Sequence, residues 1–91
     1  MNKELVTPGT IVQHAKRDML TNEQLKTTPK MYLYQIIGVA RHTTTNGEVV
    51  VYRALYDDRL WVRPKRIFCG KIVLPTGLRT DRFEVYNEQV D

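Results

Sequence analysis

The hydrophobic and β-branched residues of this chain fall into short runs, which are separated by turn residues rather than repeated at helical spacing. Such runs are typical of strands, because Val, Ile, Tyr and Trp pack well on a pleated surface. The runs with this composition are residues 10–14, 32–42, 48–56, 60–63, 71–74 and 82–86. Several short strands with turns between them predict an all-β fold, namely a small antiparallel β-barrel or roll.

Two short segments carry signals for helical turns. Thr21 and Gln24 fit a capping box, which predicts one or two helical turns near residues 21–26, with a surface loop as the alternative. Pro64 stops the strand before it and can open a helical turn over residues 65–68. The helical content is therefore expected to be small.

Asn46-Gly47 is the most specific turn signal in the chain. The pair favours a two-residue type I′ turn, because both central positions need a positive φ. With this turn Thr45 lies opposite Glu48, which fixes the pairing of the two long strands. Gly38 lies inside the first of these strands and is a candidate bend or bulge.

This register sorts the side chains of the predicted hairpin onto two faces. The face expected to form the interior carries Ile37, Val39, Arg41, Val50, Tyr52, Ala54 and Tyr56, with Arg41 at the rim beside Tyr52. The opposite face carries Gly38, Ala40, His42, Val51, Arg53 and Leu55. The second face is expected to be a shallow, partly apolar platform with His42 diagonal to Arg53.

The length of 91 residues is that of a single domain. Within it, residues 1–6 are expected to be a loose lead-in and residues 87–91 a polar tail. The first residues show no secretory signal, and no apolar run approaches the ~20 residues that cross a bilayer. Cys69 is the single cysteine, so no disulfide can form within the chain. These features indicate a cytoplasmic protein with no membrane partner.

The positive charge is concentrated in one segment. The net charge of +4 comes from residues 53–71, where six Lys and Arg face two Asp, while the rest of the chain is neutral. A local surplus of this kind attracts phosphates or an acidic partner. The alternative is a solvated basic surface without a ligand.

No constellation for catalysis or metal binding is visible. Cys69 with His42 or His14 is the available thiol–imidazole pairing, and neither combination carries a known cysteine-enzyme signature. The two histidines are distant in sequence, and glycine-rich phosphate loops and metal-binding motifs are absent from the sequence. The sequence therefore predicts a protein that is not an enzyme and that holds no metal or cofactor, with Cys69 as a small buried side chain.

The aromatic and basic residues of the third strand suggest a binding surface instead. Trp61 and Arg63 share one strand face, opposite to Leu60 and Val62. The candidate surface consists of His42, Arg53, Tyr56, Arg59, Trp61, Arg63 and Arg66. Aromatic faces flanked by cations suit stacked bases and phosphates, so nucleic acid is the preferred partner. An acidic protein or peptide is the alternative, an enzyme is the second alternative, and Trp61 as a core anchor remains open.

Residues 34–68, "YQIIGVARHTTTNGEVVVYRALYDDRLWVRPKRIF", with Arg82-Phe83 downstream, resemble the bacterial family known as domain of unknown function 1653. The resemblance rests on Gly38, Ala40, His42, Val50, Val51, Tyr52, Leu55, Tyr56, Trp61, Val62, Arg63, Pro64 and Phe68. It implies a β-barrel or roll similar to the Src-homology-3 (SH3) domain. It implies no established activity.

Overall fold

The computed structural model describes residues 3–87, and most of these residues form or connect short antiparallel strands. The strands are β1 (Ile11–His14), β2 (Leu33–Arg41), β3 (Glu48–Ala54), β4 (Leu60–Pro64), β5 (Lys71–Val73), β6 (Arg79–Asp81) and β7 (Phe83–Val85). The two short α-helices of the described residues are α1 (Asn22–Thr27) and α2 (Lys65–Phe68), and 3₁₀ helices span Lys3–Val6 and Ala15–Met19. The residues predicted to be a polar tail lie outside the described residues, except for Asn87, which is exposed.

The strands form a five-stranded antiparallel sheet in the order β4-β3-β2-β1-β7 and a separate two-stranded sheet of β5 and β6. The predicted all-β, antiparallel architecture is therefore confirmed. Within residues 3–87 the larger sheet does not close into a barrel, because β4 pairs with β3 alone and β7 with β1 alone. Strand β4 is thus a free edge of the sheet.

The local capping signals form as predicted, and two further local features were missed. In α1 the Thr21 hydroxyl accepts from the N–H of Gln24 while the Gln24 side chain accepts from the N–H of Thr21. The predicted loose lead-in is wrong for Lys3–Val6, which form a 3₁₀ turn with Leu5 buried in the core. Strand β6 was not predicted, because Arg79-Thr80-Asp81 has no apolar alternation and becomes recognisable as a strand only through its pairing with β5.

The predicted two-residue turn at Asn46-Gly47 is wrong. Arg41 pairs with Glu48, so β2 and β3 are joined by the six residues 42–47. Asn46 has the expected positive φ of 59°, whereas Gly47 does not adopt a positive φ. His42 organises the loop by donating from its N–H to the Gly47 carbonyl and by accepting at its carbonyl from the Asn46 N–H, each at 2.8 Å.

A β-bulge in β2 changes which residues face the core. The pairing shifts by one residue between Ile36 and Gly38, which agrees with the bend or bulge predicted at Gly38. Because of this extra residue, Ile36 is buried and Ile37 is exposed, contrary to the prediction for Ile37. On β3 the predicted core face of Val50, Tyr52 and Ala54 is confirmed.

Aromatic rings dominate the core, which lies against the inner face of the larger sheet. Phe83 in β7 stacks on Phe68 of α2 with a centroid distance of 4.1 Å and an angle of 11°. Phe83 also meets the rings of Tyr34 and Tyr52 edge-on at 5.7 and 5.6 Å. The core is completed by Leu5, Val12, Ile36, Val50 and Ala54.

The conformation of Asn46 leads to a stability prediction. Asn46→Val should destabilise the protein by about 1–2 kcal/mol, because a β-branched residue is strained at a positive φ. Asn46→Gly is the matched control and should change the free energy of unfolding by less than about 0.5 kcal/mol, because glycine adopts this φ without strain. Urea unfolding gives the free energy of unfolding of both variants. Equal stability of the two would contradict the positive φ of Asn46.

Candidate functional site

Strand β4 presents two chemically different faces. Trp61 and Arg63 lie opposite Tyr52 and Val50 on the inner face of the sheet, as the parity of the sequence predicted. Leu60 and Val62 lie on the outer face and are 63% and 64% exposed. Trp61 is 45% exposed, so it is not a sealed core anchor.

The outer face of β2, β3 and β4 is an exposed apolar surface. Cross-strand pairing brings Val51 beside both Gly38 and Val62, and it brings Val49 beside Ala40. We define the outer apolar face as the side chains of Ala40, Val49, Val51, Leu60 and Val62. A sheet face that is not packed on a core is ordinarily polar, so an apolar face of this kind indicates an interaction surface.

The backbone of β4 adds unpaired hydrogen-bonding groups beside this face. The N–H of Ala54 donates to the carbonyl of Arg59, which fixes the alternation of the β3–β4 ladder. Trp61 and Arg63 therefore direct their backbone groups toward β3, while Leu60 and Val62 direct theirs away from the sheet. No described strand pairs with this outer edge.

Most cations of the basic segment have acidic partners. Arg53 contacts Asp58 at 2.6 Å and also donates to Gln35, and Arg59 lies 3.7 Å from Asp57. Two further ion pairs of this segment join Lys65 to Glu48 and Lys71 to Asp81. Among residues 3–87, Arg63 and Arg66 are the two cations of the segment without an ion pair. Since Glu48 and Asp81 lie outside the segment, their two ion pairs halve its surplus of positive charge in space.

The predicted candidate surface does not form a single site. His42 lies in the exposed loop, where its Nδ1 accepts from the N–H of Thr44 at 3.1 Å. Glu48 is the loop end of β3, and Arg53 lies five positions further along the strand, about 17 Å from that end. The expected diagonal contact of His42 with Arg53 is therefore wrong.

Two further residues of the candidate surface have separate surroundings. The hydroxyl of Tyr56 lies 3.3 Å from that of Tyr34, and the Tyr56 ring packs against the core. Arg66 in α2 lines a shallow cavity with His42 of the β2–β3 loop. Neither residue lies on the outer apolar face.

A second group of basic side chains lies near Phe83, and Arg63 is its one member that belongs to the predicted candidate surface. Arg63 Nε donates to the hydroxyl of Tyr52 at 3.3 Å. Arg82 precedes Phe83, and its Nε is buried without a hydrogen-bond partner among residues 3–87. The ring of His14 meets Phe83 edge-on at 5.0 Å. We define the inner cationic cluster as His14, Lys16, Arg63 and Arg82.

His14 is the titratable centre of this cluster. It is 8% exposed, and its Nδ1 accepts from the N–H of Lys16 at 3.1 Å, which places the proton of the neutral ring on Nε2. Burial, reinforced by three neighbouring cations, lowers the pKa of His14 to about 4. The cations are Lys16, Arg82 and Arg63.

The remaining chemical groups provide little further reactivity. Cys69 is half-buried against the core, and burial raises the pKa of its thiol, which disfavours the reactive thiolate. Within residues 3–87, no three His, Cys, Asp or Glu side chains are grouped so that they could hold a metal ion. In the same part of the chain, no helix is long and apolar enough to cross a membrane.

Comparison with known proteins gives one match. A family model described as "Protein of unknown function (DUF1653)" matches residues 26–85, which include every position of the resemblance found between residues 34 and 68. The comparison with curated proteins found no match, and neither did the comparison with solved structures.

The lowered pKa of His14 predicts a pH-dependent stability. As the pH falls from about 6.5 to 4, the unfolded chain gains a proton at His14 that the folded protein does not accept. Folding stability is therefore lost over this window, by about 3 kcal/mol for a pKa difference of about 2.5. His14→Gln should reduce the stability difference between pH 7 and pH 4 by this amount.

Urea unfolding at the two pH values measures the effect. A His14→Gln protein that loses as much stability on acidification as the wild type would contradict the burial of a neutral imidazole.

Proposed function

The chain belongs to the DUF1653 family of proteins of unknown function, and we propose that it is a non-enzymatic binding module on an open SH3-like roll, which captures an extended segment of a partner protein. The partner segment adds a strand to the outer edge of β4. Its apolar side chains then extend the outer apolar face. This mode of recognition is known as β-augmentation.

The observation that carries the proposal is the combination of a free edge and exposed apolar side chains in one strand. The side chains of Leu60 and Val62 are exposed on the outer face of β4, and the same two residues direct their backbone N–H and C=O groups outward. Hydrogen bonds to these groups provide affinity, and side-chain contacts provide specificity. An exposed hydrophobic edge strand promotes aggregation when it remains unpaired. This liability favours the interpretation that β4 normally pairs with a partner.

A protein segment fits the outer apolar face better than nucleic acid. The cation on this face, Arg53, is neutralised by Asp58 at 2.6 Å and is held by Gln35. Nucleic-acid affinity depends on free cations that replace the counterions of phosphates. The expected segment is therefore apolar and β-branched rather than acidic.

The test uses two conservative substitutions in β4. The double variant Leu60→Thr/Val62→Thr removes apolar surface but introduces threonine, which also favours strand conformation. Its stability should stay close to that of the wild type, because both side chains are exposed. Ten-residue peptides selected from a random library for binding to the wild-type protein supply the ligand. We expect the double variant to bind them at least tenfold more weakly.

Val73→Thr is the matched control, because Val73 is 67% exposed but lies in β5 of the separate sheet. This variant should bind the selected peptides as the wild type does. Raising the salt from 50 to 500 mM should change the peptide affinity less than about threefold, whereas contacts to several phosphates would weaken steeply. Equal peptide binding by the double variant, or peptide binding that weakens steeply with salt, would refute the proposal.

A further inference from the structure

The inner cationic cluster is assembled around Phe83 from three separate parts of the chain. His14 in β1 lies directly opposite Phe83 in β7, and Arg82 is the residue before Phe83. The ring of Tyr52 lies 5.6 Å from that of Phe83, and the hydroxyl of Tyr52 accepts from Arg63 Nε. The fold therefore brings donors from β1, β4 and the β6–β7 junction to the inner side of the sheet.

The cluster has no acidic counterpart among residues 3–87. The four ion pairs of this part of the chain involve other residues, so Lys16, Arg63 and Arg82 remain without a carboxylate. The buried Nε of Arg82 has no hydrogen-bond partner within the described part of the chain, which is rare for a buried polar atom. Arginines that are partly shielded from water are ordinarily paired with an acceptor, so this arrangement is suited to binding an anion.

The electrostatics agree with this geometry. Burial lowers the pKa of Arg82, and the positive charge of Arg63 lowers it further. The same two arginines lower the pKa of His14. A bound anion would offset this mutual repulsion and would favour the charged forms of all three groups.

We propose that the inner cationic cluster binds the phosphate group of a nucleotide. A phosphate offers several acceptor oxygens, which suits the guanidinium groups of Arg63 and Arg82 together with the Nε2–H of His14. Trp61 lies two residues from Arg63 on the same face of β4 and is 45% exposed, so its ring is available to stack on the base. This site is on the opposite side of the sheet from the outer apolar face, and its ligand is distinct from the protein segment proposed above.

Titrations with inorganic phosphate, adenosine and adenosine 5′-monophosphate test the proposal, with NMR detection of the side-chain signals of His14, Arg63 and Arg82. Both phosphate-containing ligands should shift these signals. The nucleotide should bind at least fivefold more tightly than phosphate and at least tenfold more tightly than adenosine. Trp61→Ala should reduce the nucleotide affinity to that of phosphate.

Arginine variants separate a built site from general attraction to positive charge. Arg82→Gln and Arg63→Gln should each weaken nucleotide binding at least tenfold. Arg66→Gln is the matched control, because Arg66 is exposed, has no ion pair among the described residues, and lies outside the cluster. Its affinity should stay within twofold of wild type. If a glutamine variant fails to fold, Arg82→Lys keeps the charge and should still weaken binding, because it loses the guanidinium fork.

Several results would overturn the inference. An absence of shifts at His14, Arg63 and Arg82 would show that the cluster is not a phosphate site. Equal losses of affinity in Arg66→Gln and Arg82→Gln would indicate diffuse attraction. Tighter binding of a phosphoserine peptide than of the nucleotide would refute the nucleotide assignment. The Leu60→Thr/Val62→Thr variant should retain nucleotide binding, and a joint loss would contradict the assignment of two separate faces.

Discussion

The stacking of Phe83 on Phe68, with ring centroids 4.1 Å apart, is the contact on which the rest of the structure depends. It joins the last strand of the larger sheet to helix α2, which directly follows β4. Phe83 also contacts His14 of β1, Tyr34 of β2 and Tyr52 of β3. The ring of Phe83 therefore connects every strand of the larger sheet except β4. It is linked to β4 indirectly, because Arg63 of β4 donates a hydrogen bond to the hydroxyl of Tyr52.

This packing explains why the two sides of β4 differ. On the inner side Trp61 is partly exposed, and Arg63 donates to the hydroxyl of the core residue Tyr52. The outer side has no covering element among residues 3–87, so Leu60 and Val62 remain exposed beside Val49 and Val51. Apolar contact and strand pairing are therefore available on one side, and unpaired cations are available on the other.

The sequence predicted what is determined locally. The positions of all strands except β6, the capping box of α1, the turn after Pro64 and the core face of β3 follow from the alternation of side chains and from residues close in sequence. The hairpin register was not predictable in this way. Hydrogen bonds of His42 with Asn46 and Gly47 stabilise a longer loop, and the bulge then moves Ile37 out of the core.

The two candidate sites required contacts between distant residues. The basic segment loses half of its surplus because Glu48 and Asp81, outside the segment, pair with Lys65 and Lys71. The inner cationic cluster depends on the pairing of β1 with β7, which no turn signal specifies. The exposure of Leu60 and Val62 became evident only when β4 proved to be an edge strand, although their shared parity was visible from the sequence.

Amide hydrogen exchange along β4 tests most directly whether this strand is free to receive a partner. We expect slow exchange at Trp61 and Arg63, whose N–H groups are bonded to β3, and fast exchange at Leu60 and Val62, whose N–H groups point outward. This alternation should be measured on the isolated protein at low concentration. Comparable protection of all four amides would show that the outer edge is already paired, and it would contradict the proposed docking strand.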